Sequence, residues 1–310
     1  MLNYVAGIGA ANLDINGRSI NPVVLRDSNP GVLSSSAGGV TRNILENLSR
    51  MGVKTELMSA IGHDAFGERI IESCKSAGIG TEHVLRIKDR FSSTYISVLD
   101  DSGDMLIGMS DMRILKNIPD KYIEANISLI QNAVAIVLDG CLMPKTIDAI
   151  LSAAGKTPVF ADPVSTAYAK TIQQFCPRLY LVKPNLMELE ILSGMSVESD
   201  TDIRIAVDRL IDGGTRAVAV SLGKRGCYYC DAEGTSMFRA LKPVDAMQNA
   251  TGAGDAFMAG LIKGHMDRLD KACMLDRALA AGIAATLSSS TINPDMSEEL
   301  INSIIKQYTI

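Results

Sequence analysis

Short apolar runs alternate along this chain with longer stretches whose apolar positions recur every three to four residues. Residues 4–8, 55–61, 134–138, 159–161, 179–182 and 217–222 are largely apolar on both alternating faces, which predicts strands buried on both sides. Residues 65–77 carry helical periodicity, with Asp64 placed as an N-cap and Gly78 as a C-cap. Residues 201–211 do the same and are closed by Gly213 and Gly214. Strand and helix in alternation predict an α/β fold in three layers, a mostly parallel Rossmann-like sheet covered on both faces. In such sheets ligands bind at the carboxyl ends of the strands.

Two segments break the rhythm. Residues 13–32 and 91–111 contain strand-like pieces without helices, and Asp101-Ser102-Gly103 marks a hairpin turn between 94–99 and 105–109. They predict a small β layer attached to the main sheet. No internal repeat, low-complexity tract or Pro/Gly-rich linker divides the chain, so 1–310 is expected to be one domain.

Hydrophobic residues make up 47% of the chain and charged residues 21%, values of a globular protein and not of a disordered one. A net charge of −5 offers no basic face, so nucleic acid is not an expected partner and any link to RNA would pass through a small molecule. The opening Met1-Leu2-Asn3-Tyr4-Val5 lacks the charged leader of a secretory signal. The apolar run 133–138 stops at Asp139, well short of the roughly 20 residues that cross a bilayer. A cytoplasmic protein with no membrane partner is therefore expected. Six scattered cysteines would stay reduced there. Cys227 and Cys230 lie three apart in a strand, on opposite faces, and no second pair completes a zinc site. His63, His83 and His265 are far apart and read as surface or packing residues.

The chemistry concentrates at Asn249-Ala250-Thr251-Gly252-Ala253-Gly254-Asp255, which runs straight into a helical pattern. Small residues let backbone N–H groups turn around an anion, and the helix start adds unpaired donors and a positive dipole end. A carboxylate beside that cradle is suited to taking a proton from a hydroxyl while the amides hold the charge on a transferred phosphoryl group. Two look-alikes fail on context. Gly7-Ile8-Gly9-Ala10-Ala11-Asn12 lacks the third glycine and the following helix of a dinucleotide fingerprint. Ala154-Gly155-Lys156-Thr157 lacks the earlier glycine of a P-loop and leads through Pro158 into a strand.

The 249–255 motif resembles the C-terminal signature of the ribokinase-like (PfkB) carbohydrate and nucleoside kinases. Ala37-Gly38-Gly39-Val40-Thr41-Arg42-Asn43 is similar to the family's double-glycine signature, and Lys183-Pro184-Asn185-Leu186-Met187-Glu188 to its Asn-x-x-Glu motif. The resemblance implies a ribokinase-like fold, with 13–32 and 91–111 as a lid over the acceptor, and an ATP-dependent kinase. It implies Asp255 as catalytic base and Gly252, Ala253 and Gly254 as the anion hole. Asn185 and Glu188 would position Mg²⁺ with the phosphates of ATP, Glu188 through water, although their spacing also suits a helix capping box. Ser221, Gly223 and Gly226 would border the nucleotide, with Gly252 and Gly254.

On the acceptor side the resemblance points to Asn12, Asp14, Gly38, Gly39, Asn43 and Asp139, with Ser165 and Thr166 at another strand end. A carboxylate at 14 can accept from two neighbouring hydroxyls, which suits a vicinal diol. Residues 18–22 and 28–31, the Gly39–Asn43 variant and Asp162-Pro163-Val164-Ser165 resemble those of family members that phosphorylate the 5′-hydroxyl of pseudouridine. Ser19, Asn21, Ser165 and Thr166 are then candidate acceptors for the extra ring N–H of that base. Another nucleoside such as adenosine, or a sugar such as ribose or fructose, is the alternative acceptor, and an idle binding regulator on the same fold is the alternative class. Asn249 stands where the family usually has an aspartate that shapes a monovalent-cation site, which leaves K⁺ activation open. Lid strands of this family often pair, so a homodimer through the lid is a further expectation.

Overall fold

The computed structural model describes residues 3–242 and 247–308, so Met1 and Leu2 of the opening segment lie outside the described residues. The chain runs β1 (Tyr4–Ile8), β2 (Asn12–Ser19), β3 (Gly31–Gly38), α1 (Val40–Arg50), β4 (Lys54–Met58), β5 (Ala60–Gly62), α2 (Ala65–Ser76), β6 (Ile79–Gly80), β7 (Leu85–Ile87), β8 (Thr94–Leu99) and β9 (Met105–Asp111). It continues through α3 (Asp120–Ala125), α4 (Ile127–Asn132), β10 (Ala135–Asp139), α5 (Pro144–Ala153), β11 (Val159–Asp162), α6 (Thr166–Gln173), β12 (Leu181–Val182), α7 (Leu186–Ser193) and α8 (Asp200–Asp212). Last come β13 (Ala217–Ser221), β14 (Cys227–Asp231), β15 (Ser236–Arg239), α9 (Ala253–Met266), α10 (Lys271–Thr286) and α11 (Glu298–Tyr308).

Among the described residues the main sheet has nine strands in the order β15-β14-β13-β12-β11-β10-β1-β4-β6. All its pairings are parallel except β13–β14 and β14–β15. The strict two-residue period divides each central strand between two cores. Tyr4, Ala6, Ile8, Ile136 and Leu138 face the layer that holds α5 and α8, while Val5, Ala135 and Val137 face α1, α9 and α10. Strands apolar on both sides are thus what a three-layer α/β/α fold requires. Cys227 and Cys230 fall in opposite cores, as their spacing predicts, and both are unpaired. Among the described residues no helix is long and apolar enough to cross a membrane.

Three elements depart from the sequence pattern. Residues 55–61 form two strands, because the chain leaves the main sheet at Ser59, whose hydroxyl donates to Gly9 O at 2.6 Å. Beyond Ser59, β5 pairs with β7 in a separate two-stranded sheet. Helix α2 starts on Asp64 as expected, with the carboxylate accepting from Gly67 N, but its C-cap is Ala77; Gly78 follows at φ 76, just past the cap. Helix α8 begins one residue before the expected 201, on a Ser199–Asp202 capping box.

The second sheet has the order β3-β2-β8-β9. Its first arm runs to Gly38 and not to 32, since β3 stays in register with β2 from Gly31 opposite Ser19 to Gly38 opposite Asn12. Register separates the faces. Asp14, Asn16, Ser34, Ser36, Tyr95 and Ser97 share the face turned toward the carboxyl end of β1. Ile15, Leu33, Ile96, Val98, Ile107 and Met109 share the opposite face, where all but Ile15 are exposed. Ser19 lies on that opposite face too and donates to Asn21 O at 2.6 Å.

Candidate active site

The carboxyl ends of β1, β10, β11, β12 and β13 meet the N-termini of α1 and α9. Gly252 is the N-cap of α9, at φ 82, and a Cβ there would overlap the Thr291 carbonyl. With no cap side chain at Gly252, the first amides of α9 are not taken up by one. Ala253, Gly254 and Asp255 form the first turn, and Asp255 is 9% exposed.

Asp255 accepts a 2.9 Å hydrogen bond from Asn43 Nδ2 on α1. Burial, reinforced by the negative charges of Asp162 and Asp139, pushes the Asp255 carboxyl up to about 7; the Asn43 hydrogen bond and Lys183 pull the other way. Lys183 is itself buried, 3.1 Å from Asp162 Oδ2. Burial opposes its charge, but Asp162, Glu188 and Asp255 outweigh that and hold the ammonium above its ordinary value. A Cβ on Gly254 would lie 3.4 Å from Lys183 Nζ, so the ammonium sits over the start of α9. A helix N-terminus and a charged lysine side by side make a site for anion. The sequence motif 183–188 contains Lys183 but assigns it no role. The available signal was a lysine immediately after a buried strand, ahead of Pro184.

Asn185 and Glu188 do form the capping box of α7: Glu188 N donates to Asn185 Oδ1 and Asn185 N to Glu188 Oε2, each at 2.9 Å. Burial, then Asp162, raises the Glu188 carboxyl. Ser221 bridges to Asn185 across the sheet end, and its N–H reaches Pro184 O at 2.9 Å. Gly223 (φ 58) and Gly226 (φ 85) bound the tight turn after it, closed by Leu222 N to Gly226 O at 2.8 Å.

Asn12 Nδ2 donates to Asp14 Oδ1 at 2.5 Å. Burial raises the Asp14 carboxyl, opposed by that bond and by the charge of Arg42. A Cβ on Gly38 would overlap the Asp14 carboxylate, and one on Gly39 (φ 101) would overlap the Ala10 carbonyl, so the double glycine makes room for these groups. Asp139 corrects its expected role as a substrate ligand. It is fully buried, with Oδ2 accepting from Ala10 N (2.7 Å) and Thr41 Oγ1 (2.6 Å) and Oδ1 from Cys141 N (3.0 Å). Those bonds tie β1 and α1 to β10 and leave the carboxylate facing the protein.

From the segment 162–166, the residue brought to Asp255 is Asp162. Ser165 and Thr166 lie beyond a three-residue turn, where Ser165 N meets Pro163 O at 2.8 Å, and they start α6. Val164 in that turn has φ 71, a strained value for a β-branched residue, and its N–H donates to Asp162 Oδ1 at 2.8 Å. Asn249 Oδ1 accepts from Thr251 N at 2.9 Å and its Nδ2 donates to Ser289 O at 3.2 Å. Among the described residues no group of three His, Cys, Asp or Glu side chains is arranged to hold a metal ion.

Comparison with known proteins places this geometry. The model of the pfkB family of carbohydrate kinases matches residues 2–298. The chain is similar to the pseudouridine kinase of Escherichia coli (strain K12), with 33% identity over 98% of this chain and 97% of that protein. It is 25% identical to the guanosine-inosine kinase of Exiguobacterium acetylicum over 96% of this chain and 100% of the relative. In fold it is similar to Arabidopsis thaliana ribokinase complexed with ribose and ATP, with a TM-score of 0.89, 20% identity and 99% of each chain covered.

The raised Asp255 carboxyl has a stability consequence. Its folded value lies above the unfolded one, so ionisation destabilises the fold: the cost is absent below about pH 4, grows between about pH 4 and 7, and is complete above that. Asp255→Asn should therefore raise Tm more at pH 8 than at pH 5. Melting curves showing the same difference at both pH values would contradict the burial-driven shift.

Proposed function

The chain belongs to the pfkB family of carbohydrate kinases and is a phosphotransferase acting on a sugar or nucleoside, and from that premise we propose that it transfers the γ-phosphoryl group of ATP to the 5′-hydroxyl of pseudouridine. The observation that carries the mechanism is Asp255: a buried carboxylate, poised near neutral pH, in the first turn of a helix whose opening amides and neighbouring Lys183 favour anions. In this reading Asp255 takes the hydroxyl proton as the oxygen bonds to phosphorus and the bond to the ADP oxygen breaks. A base with a value near the working pH is well matched to that task. The amides at Gly252, Ala253 and Gly254, with Lys183, hold the charge on the transferring group. Gly254 has no side chain to intrude between the lysine and that position.

The reaction implies Mg²⁺ carried in with ATP, which neutralises phosphate charge when bound. The residues fit that group: Mg²⁺ keeps most of its water and phosphate ligands and needs few from protein, and Glu188 offers a carboxylate beside Lys183. Asn185, Ser221, Gly223 and Gly226 form the adjoining border and are assigned to ATP. Because the capping box occupies Asn185 Oδ1 and Glu188 Oε2, these side chains are held rigidly before any ligand arrives.

Asp14 and Asn12 are assigned to the ribose hydroxyls, with Asn43 shared between ribose and Asp255. The polar inner face of the second sheet supports a nucleoside acceptor, since Asn16, Ser34, Ser36 and Ser97 supply acceptors over the sugar position. Ser19 is replaced in that role because it points to the outer face. The similarity to the E. coli pseudouridine kinase over nearly both whole chains favours pseudouridine. That sheet acts as the lid, and its exposed outer row from Leu33 to Met109 fits a second copy of this chain.

Coupled ADP detection with pseudouridine, uridine, 2′-deoxyuridine, adenosine, ribose and fructose tests the acceptor. Pseudouridine should exceed uridine in kcat/KM by at least about tenfold, and the 2′-deoxy acceptor should fall far behind as buried polar groups lose their partners. Best turnover of ribose or fructose would reject pseudouridine while leaving the kinase intact. In the same assay Asp255→Asn should lower kcat by at least about 10²-fold; retained turnover would remove Asp255 from the base role. Sedimentation should show a dimer that Ile96→Lys converts to monomer, and a wild-type monomer at micromolar concentration would contradict the paired lids.

A further inference from the structure

Arg42 occupies a place that general stability does not explain. It lies in the first turn of α1, where the helix dipole disfavours a cation, and it is only 2% exposed. Its Nε is buried without a hydrogen-bond partner among the described residues, a cost of about 1–3 kcal/mol for such a group. The rest of the guanidinium is engaged on four sides. Nη1 donates to Asn43 Oδ1 at 3.1 Å and to Ala37 O at 3.2 Å, on β3, an edge strand of the second sheet. Nη2 donates to Ser73 Oγ on α2 at 2.9 Å and pairs with the Glu46 carboxylate one turn along α1. Glu46 is held in turn by Arg50, whose Nε and Nη2 reach Glu46 Oε1 at 2.9 and 2.7 Å.

The bond to Asn43 has a chemical meaning. An amide can turn either its oxygen or its NH₂ toward Asp255, and only the NH₂ is compatible with a carboxylate. A cation that cannot lose its proton, donating to the amide oxygen, selects that orientation. We propose that Arg42 is a positioning residue for phosphoryl transfer: it fixes the Asn43 amide so that it donates to the Asp255 carboxylate, and it ties that pair to the base of the lid strand β3. The proposal rests on the reading of Asp255 as the base.

The charges around the two ends are accounted for. Asp255 faces Asp162 from β11, Asp139 from β10, Lys183 beyond β12 and Asn43 from α1. Arg42 faces Glu46 on its own helix, Asp14 on β2 and the Cys74 thiol on α2. The Asn43 hydrogen bond lowers the Asp255 carboxyl, so losing the correct amide orientation moves that carboxyl further up.

The test compares Arg42→Lys, Arg42→Gln, Asn43→Ala and the Arg42→Gln/Asn43→Ala double variant, with Asp255→Asn alongside. Lysine keeps the charge that Glu46 needs but lacks the fork that spans Asn43, Ala37 and Ser73. Arg42→Lys should melt close to wild type, lose at least about tenfold in kcat with KM for ATP within about twofold, and shift the acid limb of its pH profile upward. In the double variant the kcat losses should not multiply, because both changes remove one interaction. A folded Arg42→Lys with wild-type kcat, or losses that multiply fully with Asn43→Ala, would overturn the proposal. Full activity of Asp255→Asn would instead bring down the underlying reading of the base.

Discussion

Everything at this site depends on burying one carboxylate where two helix starts meet. Asp255 opens α9, Asn43 opens α1, and the 2.9 Å bond between them joins parts of the chain more than two hundred residues apart. An isolated carboxylate so placed would protonate, because burial and two acidic neighbours all act against its charge. The Asn43 amide and the Lys183 ammonium restore enough balance to leave it near neutrality. A group held at that balance can accept a proton and give it up again. The α/β/α layers serve this arrangement by bringing five strand ends to one line and packing α1 and α9 on the same face of the sheet.

Asp139 and Asp162 stand opposite each other at neighbouring strand ends, and hydrogen bonding separates their work. Asp139 is saturated by Ala10, Thr41 and Cys141 and holds the backbone together. Asp162 spends one oxygen on Val164 N in a strained turn and the other on Lys183. The strain at Val164 is offset by what the turn achieves, a fixed partner for a buried lysine. Asp255 has one amide donor and a lysine nearby, fewer partners than Asp139, which is why it is the carboxylate proposed as the base.

Much of the fold was legible because strands buried on both faces leave long apolar runs. Tyr4–Ile8 was read to the residue, and β10, β11, β12 and β13 to within two, whereas β6 and β15 of the main sheet were not read at all. The split at Ser59 was hidden, since the residues on either side are equally apolar and the contacts made there, Ser59 Oγ to Gly9 O and Leu85 N to Ser59 O, come from distant segments. The reach of β3 to Gly38 was hidden for a similar reason: Gly31–Gly38 is rich in serine and glycine, and its register comes from β2 and not from its own pattern. At the site, the glycine-rich motif and the double glycine marked where backbone comes close: Gly252 caps α9, and Gly38 and Gly39 make room for the Asp14 carboxylate and the Ala10 carbonyl. Lys183 and Arg42 carried no role in the sequence because a cation there reads as a solvated surface group, whereas both are buried against carboxylates. Asp139 was over-read because its three donors come from segments far apart in the chain.

The central claim is that Asp255 must be ionised for the hydroxyl to be activated, and that its surroundings place that ionisation near neutrality. The most direct measurement is the pH dependence of kcat/KM for the acceptor at saturating ATP. The account predicts an acid limb with an apparent value near 7 that belongs to the ATP-bound enzyme before the acceptor binds. A profile that stays flat down to about pH 5 would contradict it, because an ordinary exposed carboxylate titrates near 4.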